Sequence, residues 1–150
     1  MKVMLDTSTL VAGMLTDHVH YPAAHLWLAR ATAGAFDYLV SSHSVAEVYS
    51  VLTRIPRRPR ISSSDAWRMV RDNITAHGHL VSIGGSEYAS LVEELAQRNL
   101  GGGLVYDAII AKAAEISQVD RLVTLNDAHF LRVWPGGAGR IVSALIGPTP

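Results

Sequence analysis

The chain has 150 residues, which suits one domain spanning 1–150 with a sizeable core, and its 49% hydrophobic and 17% charged residues exclude a disordered protein. Thirteen acids balance 13 bases, so the overall charge gives no sign of nucleic acid, and the lack of cysteine excludes a disulfide framework and thiolate metal sites. Asp6 interrupts the apolar N-terminus too early for a signal peptide, and no run approaches the ~18 apolar residues of a membrane helix, so a soluble cytoplasmic protein with no membrane partner is expected.

The chain opens on Val3, Met4 and Leu5, an apolar run that ends on Asp6 and two hydroxyls, Thr7 and Ser8. It predicts a buried strand over residues 2–6 that delivers Asp6 to a sheet edge. Residues 7–15 read as a turn into a short helix, followed by a polar loop over 16–20. Pro22 opens the next helix, since proline is tolerated in a first turn, and Gly34 closes it. Residues 36–41 form a second strand. A helix then starts at Ser44, with Val45, Val48, Tyr49 and Leu52 on its apolar face.

Two prolines make residues 55–60 a loop. Ser62 to Ser64 start another helix, with Trp67, Val70 and Ile74 on its buried side and Gly78 at its end. Residues 79–83 read as a third strand. The helix after Gly84 and Gly85 carries Tyr88, Leu91, Val92 and Leu95 on one face. Residues 104–117 form an apolar, alanine-rich helix expected at the centre of the fold. Residues 121–125 are a fourth strand, Asn126 and Asp127 a turn, and 130–134 and 141–145 short elements. There is no internal repeat and no linker. Strands alternating with helices predict an α/β fold with a mainly parallel sheet covered on both faces.

Four acids fall where strands end or helices begin: Asp6, Glu47, Asp107 and Asp127. Each has a local explanation. Asp6 can bond turn amides, and Ser44 with Glu47 makes a capping box. Asp107 suits the positive end of a helix, and Asn126-Asp127 is turn chemistry. Asp107 nevertheless interrupts the most apolar helix of the chain, where an unpaired charge costs several kcal/mol. If the four converge, two like charges ~4 Å apart repel by about 4 kcal/mol at an effective dielectric near 20. A divalent ion relieves this, and all-oxygen ligation selects Mg²⁺ or Mn²⁺. Gathering four acids in one site leaves nine to face 13 bases, 11 of them arginine, so the remaining surface is basic.

The ordered set Leu5-Asp6-Thr7-Ser8, Ser44-Val45-Ala46-Glu47, Gly102 to Ala108 around Asp107, and Leu122 to Asp127 before Phe130 resembles the PIN domain. Within that family it resembles the VapC-type toxins of toxin–antitoxin systems, over nearly the whole chain. The resemblance implies a three-layer PIN-like fold with a central sheet flanked by helices. It implies a metal-dependent endoribonuclease, with Asp6, Glu47 and Asp107 as metal-holding and catalytic residues. It also implies a small antitoxin protein as partner and a homodimer. The family's fourth residue, an acid or asparagine, falls two places after the threonine, on Asn126. Charge favours Asp127, one place later, and Asn126 stands as its rival. Thr7 and Thr124 are expected to support the carboxylates by hydrogen bonds, with Asn126 beside them if Asp127 is the ligand.

Arg54, Arg57, Arg58 and Arg60 form the densest basic run and read either as an RNA contact or as a solvated loop. His18, His20 and His25 have no evident fourth ligand, so surface histidines are expected rather than zinc. His129 needs no role. Trp27, Trp67 and Trp134 read as core or interface. Two alternatives remain: a metal-dependent phosphatase, and a catalytically silent module that docks a partner protein. A haloacid-dehalogenase-like phosphatase resembles the start of the chain but asks for a second acid where Ser8 stands.

Overall fold

A computed structural model describes residues 1–148. Five strands form one parallel sheet: β1 (Lys2–Leu5), β2 (Asp37–Ser41), β3 (His79–Val81), β4 (Arg121–Thr124) and β5 (Ile141–Ser143). Their order across the sheet is β3-β2-β1-β4-β5. The chain therefore builds outward from β1 in one direction, then returns to place β4 on the other side. In open α/β sheets, ligand sites lie beyond the strand carboxyl ends where the winding direction reverses. Here that point falls between β1 and β4, which pair with Leu5 opposite Val123.

Alternation along the strands explains why the sheet is covered twice. Val3 and Leu5 join Tyr38, Val40 and Val123 in one core, while Met4 joins Leu39 and Leu122 in another. Each strand sends successive side chains to opposite faces, so apolar residues at every position need a layer on each side. The first layer holds α1 (Thr7–Met14), α2 (Tyr21–Thr32), α3 (Ser42–Arg54) and α4 (Ser63–Val70). They contribute Leu10, Trp27, Leu28, Val48, Leu52 and Val70. The second holds α5 (Gly85–Gln97), α6 (Leu104–Ile116) and α7 (Asp127–Val133), with Leu91, Leu95, Ile110, Ala114 and Phe130. The three-layer α/β expectation is borne out.

Several local expectations are corrected. Helix α3 starts at Ser42, with Ser41 as the flanking N-terminal residue. Ser44 is thus fully buried inside the first turn and makes no capping box with Glu47. In α4 the buried positions are Ala66 and Val70, while Trp67 is half exposed. Burial runs at steps of four through Ala66, Val70 and Ile74, and Trp67 stands one residue off that row. The chain after α4 widens into a π-helical turn, Arg71–Thr75, before Gly78. In α5, Leu91 and Leu95 are buried but Tyr88 and Val92 are exposed. Residues 127–133 form a helix, and the final strand pairs in parallel with β4. Trp27 and Trp134 are core, as expected. Among the described residues no helix is long and apolar enough to cross a membrane.

Candidate active site

Asp6 is the first residue beyond β1 and caps the N-terminus of α1. Its Oδ1 accepts the Thr9 amide at 2.8 Å, and its Oδ2 accepts the Thr124 hydroxyl at 2.8 Å. The Ser8 hydroxyl lies 2.9 and 2.8 Å from the two carboxylate oxygens. The same Ser8 oxygen accepts the Leu125 amide at 3.0 Å, and Thr124 Oγ1 accepts the Asn126 amide at 2.8 Å. The turns after β1 and β4 are therefore tied together around one carboxylate, which is 2% exposed. Burial pushes the Asp6 carboxyl above its ordinary value, and the hydrogen bonds from Thr9, Thr124 and Ser8 pull only partly against it. Thr7 supports the neighbouring helix instead, donating to the buried Ser44 hydroxyl at 3.0 Å.

Glu47 and Asp107 reach the same place from other elements. Glu47 projects from α3, and its Oε2 meets His43 Nε2 at 2.5 Å, one turn back on that helix. Asp107 sits in the first turn of α6, and its Oδ2 meets His129 Nδ1 at 3.2 Å. Burial raises the Asp107 carboxyl above its ordinary value, His129 pulls it down, and the charges of Asp6 and Glu47 push it up again. Asp107 thus feels the charges of both other carboxylates. With Thr7, Ser8, His18, His20 and Asn126 the three carboxylates line a cleft of about 380 Å³ at the carboxyl edge of the sheet.

Asp127 is not among the cleft's lining residues. It begins α7 and is exposed, while its neighbour Asn126 lines the cleft. The four arginines divide. Arg54 lines a groove beside Glu47, Arg57 pairs with Asp17 at 3.3 Å, and Arg57, Arg58 and Arg60 surround a separate concavity with Pro56. The three histidines considered for zinc also separate. His18 and His20 face the cleft, whereas His25 stacks on Tyr21 and its Nδ1 lies 3.0 Å from the Gly13 carbonyl. As the side chains stand, no three His, Asp or Glu groups among the described residues come together as a set that could hold one ion. Glu47 is engaged by His43, and Asp107 by His129.

Sequence reasoning missed Ser8 and His43. His43 had a signal, its spacing of four from Glu47 on one helix. Ser8 had one too, since a hydroxyl two residues after an aspartate readily bonds it. Contact between His129 and Asp107, 22 residues apart, had none.

Residues 3–133 match the family model described as PIN domain. The chain belongs to the PIN domain family. As a PIN domain it is similar to Ribonuclease VapC27 of Mycobacterium tuberculosis (strain ATCC 25618 / H37Rv), 36% identical over 110 residues, which cover 73% of this chain and 74% of the relative. It is 38% identical over 112 residues to Ribonuclease VapC40 of the same species (strain CDC 1551 / Oshkosh), covering 73% and 78%. The resemblance to VapC-type PIN domains drawn from the motifs is borne out. Among solved structures, VapBC2 from Rickettsia felis bound to a promoter DNA fragment superposes with a TM-score of 0.63 at 20% identity, over 95% of this chain and 98% of that one. FitAB bound to the IR36 DNA fragment gives 0.64 at 12% identity, over 98% of both. At these identities the likeness concerns the fold.

Proposed function

We propose that this PIN domain is an endoribonuclease that hydrolyses RNA phosphodiester bonds at a carboxylate-held Mg²⁺ or Mn²⁺, as the toxin of a type II toxin–antitoxin pair. One observation carries the proposal: Asp6 at the end of β1, Glu47 on α3 and Asp107 on α6 line one cleft, where the charges of Asp6 and Glu47 bear on Asp107. Three carboxylates lining one cleft, with Asp6 and Asp107 raised by burial, form an all-oxygen donor set that fits a hard divalent cation. Held there, such an ion would stabilise the negative charge that develops on the phosphoryl oxygens and lower the pKa of a water.

In this reading Asp6 and Asp107 are the main ligands, and Glu47 ligates or takes the proton of the attacking water. Asn126 takes the fourth position in place of Asp127, because it lines the cleft. Thr124 and Ser8 hold Asp6 in its orientation. The ribonuclease names of the VapC relatives support the activity, and the VapBC2 and FitAB neighbours support an antitoxin partner. A small antitoxin protein over the cleft, a homodimer and a cytoplasmic location complete the proposal.

The test is cleavage of RNA by the purified protein with Mg²⁺ or Mn²⁺, against the same reaction with chelator. Asp6→Asn is expected to abolish cleavage and Asp127→Asn to retain it. Cleavage independent of both the ion and Asp6 overturns the assignment. For the arginine loop, Arg57, Arg58 and Arg60 are replaced together by glutamine. Loss of phosphate contacts lowers affinity and flattens the salt dependence, by a slope of about 0.7 per contact on a single strand. An unchanged slope removes the loop from the RNA path.

A further inference from the structure

We infer that the groove beside Glu47 is a nucleobase subsite, in which Tyr106 stacks on an unpaired base of the RNA and Arg54 holds a phosphate next to it; this rests on the ribonuclease reading above. The groove, about 440 Å³, is lined by His43, Glu47, Ser50, Arg54 and Tyr106, among others. It shares Glu47 and Val51 with the carboxylate cleft, so the two run into each other. A strand with its scissile phosphate at the carboxylates must leave the cleft, and this adjoining groove offers a way out.

The groove has the parts that single-stranded recognition needs. Tyr106 immediately precedes Asp107 on α6, and its side chain is half exposed. His43 stacks parallel on it, with ring centroids 5.1 Å apart and planes 6° from parallel. His43 is itself held at its edge by Glu47. The tyrosine ring is therefore backed on one face by a second ring from α3, which lowers the cost of ordering it. Unpaired bases stack on such rings whatever their sequence. Arg54 lies seven residues beyond Glu47 on α3, on the same helix face and about 10 Å further along the axis. Its guanidinium suits a phosphate, and Ser50 lies between it and Glu47 along α3 as a hydrogen-bonding group. Acid, ring and arginine in one groove match phosphate chemistry, base and next phosphate in one strand.

Two measurements separate this subsite from the activity it rests on. Affinity for a short fluorescein-labelled single-stranded RNA is read by anisotropy in chelator, and KM and kcat are read by cleavage of the same RNA with Mn²⁺. Tyr106→Leu keeps apolar bulk and removes the stacking face; it is expected to weaken binding and raise KM roughly tenfold with kcat little changed. Tyr106→Phe is expected to restore both, since stacking needs the ring and not the hydroxyl. The same RNA annealed into a duplex is expected to show no difference between wild type and Tyr106→Leu, because its bases are stacked on each other. Wild type that cleaves RNA while Tyr106→Leu leaves KM and single-strand affinity unchanged overturns the subsite and spares the activity. Absence of cleavage by wild type overturns the activity. In that event a Tyr106-dependent affinity for single strands still supports the subsite, and its absence overturns the subsite as well.

Discussion

The two sides of the carboxylate cleft are built in different ways. On the side formed by β1 and β4, Asp6 is buried and receives hydrogen bonds from Thr9, Ser8 and Thr124, while Ser8 and Thr124 in turn accept amides of the opposite turn. On the helical side, Glu47 and Asp107 are partly exposed, and the hydrogen bond each makes is to a histidine. The difference separates a fixed anchor from adjustable groups. Asp6 cannot turn without leaving several donors unmet in a buried place, which is costly. Glu47 and Asp107 can leave the imidazole by changing rotamer, which the proposed ion binding requires of them. This construction fixes the anchor and leaves the outer carboxylates free to change partner.

The largest expected effect comes from the anchor. Asp6→Asn keeps the size of the side chain but replaces one acceptor by a donor facing the Thr124 or Thr9 group, and RNA cleavage is expected to fall to background. Thr124→Val is next. It removes the hydroxyl that serves both Asp6 and the Asn126 amide, so stability should fall by about 1–3 kcal/mol in urea unfolding. Affinity for Mn²⁺ is expected to fall roughly 10–100-fold with it. If Thr124→Val costs no more than a change on the helical side, the contrast between anchor and adjustable groups collapses.

On the helical side the expected sign reverses. Asp107→Asn relieves repulsion with Asp6 and Glu47, so in chelator it should raise the Tm by a few degrees while abolishing cleavage. A lowered Tm in chelator contradicts the shared-charge origin of that repulsion. The pH dependence follows the same sign. Asp6 and Asp107 have carboxyls raised above the ordinary value of 3.8, so between that value and their raised values the folded protein binds more protons than the unfolded chain. Their contribution to metal-free stability is therefore fully present below the ordinary value and is lost as pH rises through the raised ones. Mg²⁺ is expected to flatten this fall, and the comparison is read from melts across that range with and without the ion. The smallest effect belongs to His43→Ala, which removes a pair worth about 0.3–0.5 kcal/mol from a helix surface and leaves Glu47 free to turn.

Much of this was legible in the sequence, for physical reasons that differ by element. Val3 to Leu5 announced a doubly buried strand because apolar residues at consecutive positions need cover on both sides. Asp6 stood out because a carboxylate directly after such a strand lands on the sheet edge. Asp107 stood out because its helix is otherwise apolar. Burial of Trp67, Tyr88 and Val92 was overread, since spacing gives a stripe without saying how much of it a neighbour covers. Ser44 was mistaken for a cap because a serine three residues before a glutamate has the right spacing, whereas its true partner, Thr7, lies 37 residues away. Of Asn126 and Asp127 only the first lines the cleft, while Asp127 opens α7, and the motif alone does not say where the turn becomes a helix.

Direct counting of bound Mn²⁺ tests the central claim, that carboxylates from three distant segments share one cation. The loss of the free-ion paramagnetic resonance signal on titration is followed in wild type, Asp6→Asn, Asp107→Asn and Asp127→Asn. The expected result is tight binding in wild type and Asp127→Asn, with binding lost in both Asp6→Asn and Asp107→Asn. Equal binding in wild type and in either of those last two variants would contradict it.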